Sequence, residues 1–340
     1  MNKLVIAAVV LLTFSACDGP VTEPPPEPIG PTYIWMMPRG DTLVELTTQI
    51  DKWKETLELI DVIGYADHIL HKNYSDTQLR ESFAVLKEHG LYLALEVGAI
   101  KEWGTTGAST FTQQKNGFWD RYIELGAPLV GIVMDEPLVA VHSHYKDYFS
   151  HFVDDTDEAK FEYAVEQTAE FMRLVRNAYP HWFIADIGVY PYFDADKTIL
   201  WINALEARLA AKGVRGQDFF RLDVDWNHFR TNQQNYPYHW GQVKRIEDHC
   251  REIGLPFSLI YWAANVAGRP NLQADPTSWL TYILQMGERY QDVGGKPDQY
   301  VIQTWIPNIP AMTLPETNPH SFTYSVLEFN KQIIPPREDD

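Results

Sequence analysis

The chain has 340 residues, with 46 acidic against 28 basic side chains and a net charge of -18 at neutral pH. That balance excludes nucleic acid as a partner, excludes a broadly basic membrane-binding face, and disfavours a polyanionic ligand. With Cys17 and Cys250 as the two cysteines, and Cys17 outside the folded domain, no internal disulfide and no Cys-based metal site is expected.

Residues 1–16 begin with Lys3, run apolar from Leu4 to Phe14 and end on Ser15-Ala16, just before Cys17. This is the shape of an export signal, too short for a membrane span. Residues 17–31 hold six prolines between Asp18 and Pro31 and no apolar periodicity, so they read as an extended tether. Residues 32–335 are expected to form one domain with a substantial core, and residues 336–340 a polar tail.

Within that domain apolar runs alternate with amphipathic stretches. Strand Tyr33–Met37 precedes a helical pattern over Thr42–Leu59, with Leu43, Leu46, Ile50, Trp53 and Leu57 at three- and four-residue steps. Strand Val62–Tyr65 leads to helix Ser75–Glu88, which opens on a cap-capable serine and stops before Gly90. Strand Tyr92–Val97 and a helix over Thr112–Leu125 come next, then strand Val130–Met134. A long segment from Leu138 to about Asp157 carries His142, His144 and several aromatics, and is expected to shape a cleft. Helix Ala159–Ala178, strand Phe183–Ile187, helix Thr198–Lys212, strand Phe220–Val224 and helix Trp240–Ile253 continue the pattern. Strand Phe257–Trp262, helix Pro276–Arg289, strand Tyr300–Trp305 and helix Ser321–Lys331 complete it. Eight such units in one domain imply an α/β fold, a single (β/α)8 TIM barrel. An open doubly wound sheet needs a phosphate-binding glycine loop after its first strand, and Met37-Pro38-Arg39-Gly40 lacks that spacing. Cys250 is expected as a buried or half-buried helical thiol.

Strand ends of such a barrel carry the chemistry, and here they are acidic. Leu91–Glu96, Leu129–Glu136, Phe183–Asp186 and Phe219–Asp225 each finish on carboxylates. Side chains two apart share a strand face, so Arg221, Asp223 and Asp225 point together, as do Asp186, Gly188 and Tyr190. Three charged groups on strand six would be costly against an apolar helix layer and are expected to point into the barrel. Asp135 and Glu136 should lie on opposite faces unless a bulge intervenes. Glycoside hydrolysis needs two carboxyl groups, one protonated and one ionised. Glu136 is the expected acid, with Asp225 as favoured partner and Asp223 in reserve. Arg221 would hold one aspartate ionised, or form a purely structural ion pair with Asp223. Trp35, Trp262 and Trp305 lie at or near strand ends, while Trp103 and Trp226 follow strands three and six; indole faces suit sugar C–H surfaces. Trp35, Glu96, Asp135, Asp186, Tyr190, Arg221, Trp262, Asn265 and Trp305 are the expected substrate contacts. No cofactor is implied.

Asp135-Glu136-Pro137 after a hydrophobic fourth strand resembles the Asn-Glu-Pro of the large clan of retaining (β/α)8-barrel glycoside hydrolases, whose glutamate is the acid/base. The resemblance implies that role for Glu136, and a carbohydrate substrate. The pattern departs at strand seven, where that clan has its nucleophile: Leu259–Asn265 contains no carboxylate. Other barrel glycosidases pair a strand-four acid with a strand-six aspartate, as this chain does. The chitinase-like group also has its acid at the end of strand four and a tryptophan at strand eight, as at Thr304-Trp305. Ser15-Ala16-Cys17 resembles the lipobox of bacterial lipoproteins, which implies lipidation of Cys17 and anchoring in the periplasm or on the outer face through that lipid alone; a monomer is expected. Asp18 resembles an inner-membrane retention signal of enterobacterial lipoproteins.

Two alternatives stand beside a hydrolase of neutral glycans. His68 and His71 near the end of strand two, with Glu96, Glu136 and Asp223, would suit a divalent metal in a sugar isomerase or epimerase. A non-catalytic glycan-binding lipoprotein would use the same aromatics without the acid pair.

Overall fold

The computed structural model describes residues 33–101, 106–225, 236–263 and 278–336. Strands β1 (Tyr33–Met37), β2 (Val62–Ala66), β3 (Tyr92–Val97), β4 (Leu129–Met134), β5 (Phe183–Tyr190), β6 (Phe219–Val224), β7 (Phe257–Tyr261) and β8 (Gln299–Gln303) close into one barrel in chain order. All neighbours run parallel, and β8 returns to β1 with Trp35 opposite Val301 and Met37 opposite Gln303. The expected single (β/α)8 barrel is therefore the fold. The export signal, the tether with Cys17, and Trp103, Trp226 and Asn265 lie outside the described residues.

Which face of each strand looks inward follows from contacts across the barrel. Trp35 on β1 packs against Phe183 on β5 and Phe219 on β6, with ring centroids 5.4 and 5.8 Å away. Strands on opposite sides of a closed sheet meet only through its interior, so these three side chains fill the barrel. Small residues make the space. A Cβ on Gly131 would lie 2.4 Å from the Phe183 ring, and one on Gly64 would lie 2.8 Å from Met37. Above this layer Arg221 stacks its guanidinium 4.1 Å from the Trp35 ring and donates to Ser258 Oγ at 3.0 Å. The inner positions above it are Glu96, Gln303, Asp223 and Trp262, and they open toward the carboxyl ends of the strands.

The helices follow their local signals, with instructive exceptions. Ser75 forms a full capping box with Gln78 at the start of helix Asp76–Glu88. Thr156, Asp194 and Ser321 likewise accept from backbone N–H groups at the starts of helices Asp157–Ala178, Ala195–Ala211 and Phe322–Ile333. The pattern over Thr42–Leu59 is two short helices, Leu43–Thr48 and Lys54–Leu59, instead of one. Trp53 at the break turns into the core, and Glu316 caps the second helix by accepting from Thr56 N–H at 2.8 Å and Glu55 N–H at 3.1 Å. That cap arrives from far along the chain and is invisible to local periodicity. The helix expected over Thr112–Leu125 begins earlier, at Gly107, and carries a π-turn over Lys115–Trp119 that sets Trp119 in the core. The stretch after β4 is not a bare loop, since it forms helix Pro137–Ser143 and a π-turn over Tyr145–Phe149. Cys250 is buried on helix Tyr236–Glu252, and burial pushes its thiol up to about 12. No described helix is long and apolar enough to cross a membrane.

Candidate active site

The site begins where β4 ends. Glu136, the residue before Pro137, adopts a left-handed backbone with φ of 52°. Such a conformation costs a non-glycine residue about 1–3 kcal/mol and clusters at functional sites. Its effect here is to break the alternation of faces. Asp135 and Glu136, expected on opposite sides, converge on a single cation: Lys101 Nζ lies 2.8 Å from Asp135 Oδ2 and 3.3 Å from Glu136 Oε2. Burial opposes the charge on Lys101, but Asp135 and then Glu136 outweigh it and raise the ammonium above its ordinary range. Lys101 sits just past β3 and was not singled out from the sequence. A basic residue in a strand-to-helix loop beside an acidic strand end was the available signal.

Three further carboxyls stand on or near the inner face. Glu96 accepts from Gln303 Nε2 at 3.1 Å, and burial with the nearby Asp135 charge raises it to about 7. Gln303 is the other participant that the sequence reading missed, since an amide at the end of β8 carries no pattern of its own. Asp223 accepts from the Trp262 indole N–H at 2.5 Å. Burial, followed by the charge of Glu136, raises Asp223 well above its ordinary value. Glu136 is itself raised, first by burial and then by Asp135, with Lys101 pulling the other way. Asp225 follows at the rim of β6, partly exposed. These groups come from three strands and the loop after β3, and they sense one another's charge.

Beside them lies a cavity of about 530 Å3, bounded by the ends of β1, β2, β3 and β8. Glu96 and Gln303 reach its floor, and Trp305 forms a wall that is 43% exposed. Trp305 meets Trp262 at 4.5 Å between ring centroids, so the wall and the Asp223 donor are in contact. That volume is within the usual range for small-molecule sites.

Several expected contacts are placed elsewhere. Trp35 is buried in the lower barrel beneath Arg221 and cannot reach a ligand in the mouth. Arg221 is fully buried, and no ion pair joins it to Asp223 among the described residues. Its nearest electrostatic partner is Glu96, and burial lowers the guanidinium to about 9, which leaves it charged at neutral pH. Asp186 and Tyr190 do share a face, but it is the outer one. Asp186 accepts from Trp201 N–H on helix Ala195–Ala211, and Tyr190 pairs with His239 on helix Tyr236–Glu252. The reason is register: Phe183 is inward, so residues an odd number of steps away are outward.

The histidines do not assemble either. His71 faces Arg121 and the Phe118 ring, His68 lies 3.7 Å from Asp67, and His142 neighbours Asp157 while His144 packs near Tyr148. Among the described residues no group of three or more His, Cys, Asp and Glu could hold a metal ion.

No family model matches the chain, and no curated protein matches it in sequence. Solved structures do resemble it. A GH10 endoxylanase retrieved from sugarcane soil metagenome aligns at a TM-score of 0.52 and 9% identity, covering 88% of this chain and 96% of that one. Native xylanase 10C from Cellvibrio japonicus aligns at 0.50 and 14%, covering 88% of this chain and 64% of that one. This chain thus spans a little under two thirds of the Cellvibrio enzyme. Orotidine 5'-monophosphate decarboxylase from Methanocaldococcus jannaschii aligns at 0.45 and 9%, covering 89% of this chain and 99% of that one. At these identities the likeness is one of fold. The two xylanases share the barrel, and a barrel of this kind does not by itself fix the chemistry.

Proposed function

We propose that this chain hydrolyses a glycosidic bond in a neutral oligo- or polysaccharide, with Glu136 and Asp223 as the carboxyl pair. The observation that carries the reading is the pairing of two half-buried carboxyls, from the ends of β4 and β6, that have different partners: Glu136 faces a lysine, and Asp223 faces an indole N–H and no lysine. Pairs of acids pushed apart in this way divide the work of acid and base. The proton then belongs on Asp223, where burial and neighbouring negative charge disfavour the anion. The ionised partner is Glu136, which Lys101 stabilises. This assigns the acid role to strand six and not to strand four, the reverse of what the tripeptide resemblance implies, and it puts Asp223 ahead of Asp225 as partner.

The remaining parts fit a saccharide. Trp305 offers an exposed ring face beside the acids, and Glu96 and Gln303 offer hydrogen-bonding groups for hydroxyls on the cavity floor. The strong negative charge of the chain suits a neutral glycan better than an acidic one. Through lipidation of Cys17 the domain would be held at a membrane on a proline-rich tether, where exported polymers are met; a Cys17→Ala variant recovered in the soluble fraction supports that anchor.

The test is release of new reducing ends from a panel of neutral bacterial, plant and algal glycans by the full chain, beside Glu136→Gln and Asp223→Asn. The reading expects turnover in the native chain and its loss in both variants with folding retained. On the substrate found, Asp223 should set the alkaline limb of the rate–pH profile. Assignment of that limb to Glu136 would reverse the roles, and full turnover in either variant would remove the pair.

A further inference from the structure

We propose that Trp262 is a positioning residue: its indole N–H fixes one oxygen of the Asp223 carboxyl so that the other faces the barrel mouth, and Trp305 braces that indole from the cavity side. The inference rests on the reading of Asp223 as proton donor, and it concerns how that donor is aimed.

Trp262 lies one residue past β7 on the inner face and is 4% exposed. Its Nε1 lies 2.5 Å from Asp223 Oδ1, the sole hydrogen bond to that side chain among the described residues. A carboxyl turns over a broad, roughly two-fold torsion, so one directed donor decides which oxygen is tied and which is left to carry a proton. The groups facing Asp223 are otherwise carboxyls: Glu136 from the end of β4, Glu96 from β3 and Asp225 on its own segment. Arg221, two residues below, turns to Trp35 and Ser258. No cation competes with the indole for Asp223 among the described residues. A neutral donor suits an acid that must stay protonated, because a lysine or arginine there would ionise it.

The second half of the device is the contact with Trp305. The two indoles meet at 4.5 Å between centroids with an interplanar angle of 54°. Trp305 also lines the cavity. A sugar ring stacked on Trp305 therefore bears on the Asp223 carboxyl through two packed indoles, which ties filling of the cavity to the aim of the acid.

Two measurements on the full chain test this. In 1H–15N spectra of the indole groups, the Trp262 resonance, identified by its loss in Trp262→Phe, should titrate with pH, and that titration should vanish in Asp223→Asn. On the glycan that gives turnover, Trp262→Phe should lower kcat by about tenfold while KM stays within about twofold. Its alkaline limb should move to higher pH, because losing a donor to the anion raises the acid further. Trp305→Ala should move the limb in the same direction by less. A Trp262 resonance indifferent to pH while the chain stays folded overturns the proposal, as does a native rate–pH profile in Trp262→Phe. Should that variant fail to fold, the indole resonance whose pH response disappears in Asp223→Asn decides the matter. If the native chain cleaves no glycan, the hydrolase reading falls, and the indole titration still reports whether Trp262 and Asp223 are coupled.

Discussion

Asp186 and Asp223 form a natural pair for comparison. Both are aspartates on adjacent strands, Asp186 buried and Asp223 half-buried; both accept from a tryptophan indole at 2.5 Å, and loss of water contact raises both carboxyls, Asp186 to about 7. Asp223 looks into the barrel mouth, among Glu136, Glu96 and Asp225 and beside a cavity. Asp186 looks the other way, into the helix layer, with Oδ1 buried and without a hydrogen-bond partner. A perturbed carboxyl with an indole donor is thus not in itself a site. Company and access make the difference.

Breaking the inner member should cost most. Asp223→Asn and Glu136→Gln are each expected to lower turnover on the order of a thousandfold or more, measured against unchanged circular dichroism. Asp186→Asn should leave turnover within a factor of about three, and a loss comparable to that of Asp223→Asn would erase the distinction between the faces.

Lys101→Met tests the asymmetry inside the mouth. Without its cation Glu136 should rise further, so the acid limb of the rate–pH profile should move to higher pH, with a loss at neutral pH of about ten- to a hundredfold. An unmoved acid limb would show that Glu136 is not the ionised partner.

The outer member should speak through stability. The folded chain holds the Asp186 proton up to about 7, against an ordinary value of 3.8, so it binds more protons than the unfolded chain between these values. Stability from this group is therefore full below the ordinary value and is lost as pH rises toward 7. Asp186→Asn should remove that decline and gain roughly 1–3 kcal/mol at neutral pH in urea unfolding. A decline with pH that persists in the variant would assign it to another group. Trp201→Phe is expected to lose about 1–3 kcal/mol, from the missing hydrogen bond to Asp186 together with the cavity left by a fully buried indole.

Much of this was legible beforehand, and unevenly. The eight strands, their order and their acidic ends follow from apolar runs and from the cap residues Ser75 and Ser321. The break at Trp53 was not legible, because the Glu316 carboxylate that caps the next helix comes from another part of the fold. Nor was Lys101, whose role exists only once the left-handed turn at Glu136 delivers two carboxylates to it.

Local sequence determined the alternation of strand and helix, and which residues share a strand face: Arg221 with Asp223, Asp186 with Tyr190. The cost of burying charge against helices already pointed the Arg221 and Asp223 face inward, whereas for Asp186 and Tyr190 the tertiary structure decided the direction. A period of two fixes relative direction and leaves absolute direction open, since reversing the strand swaps every residue together. Packing of Trp35, Phe183 and Phe219 across the closed barrel settled it, sending Asp223 to the mouth and Asp186 to the helices.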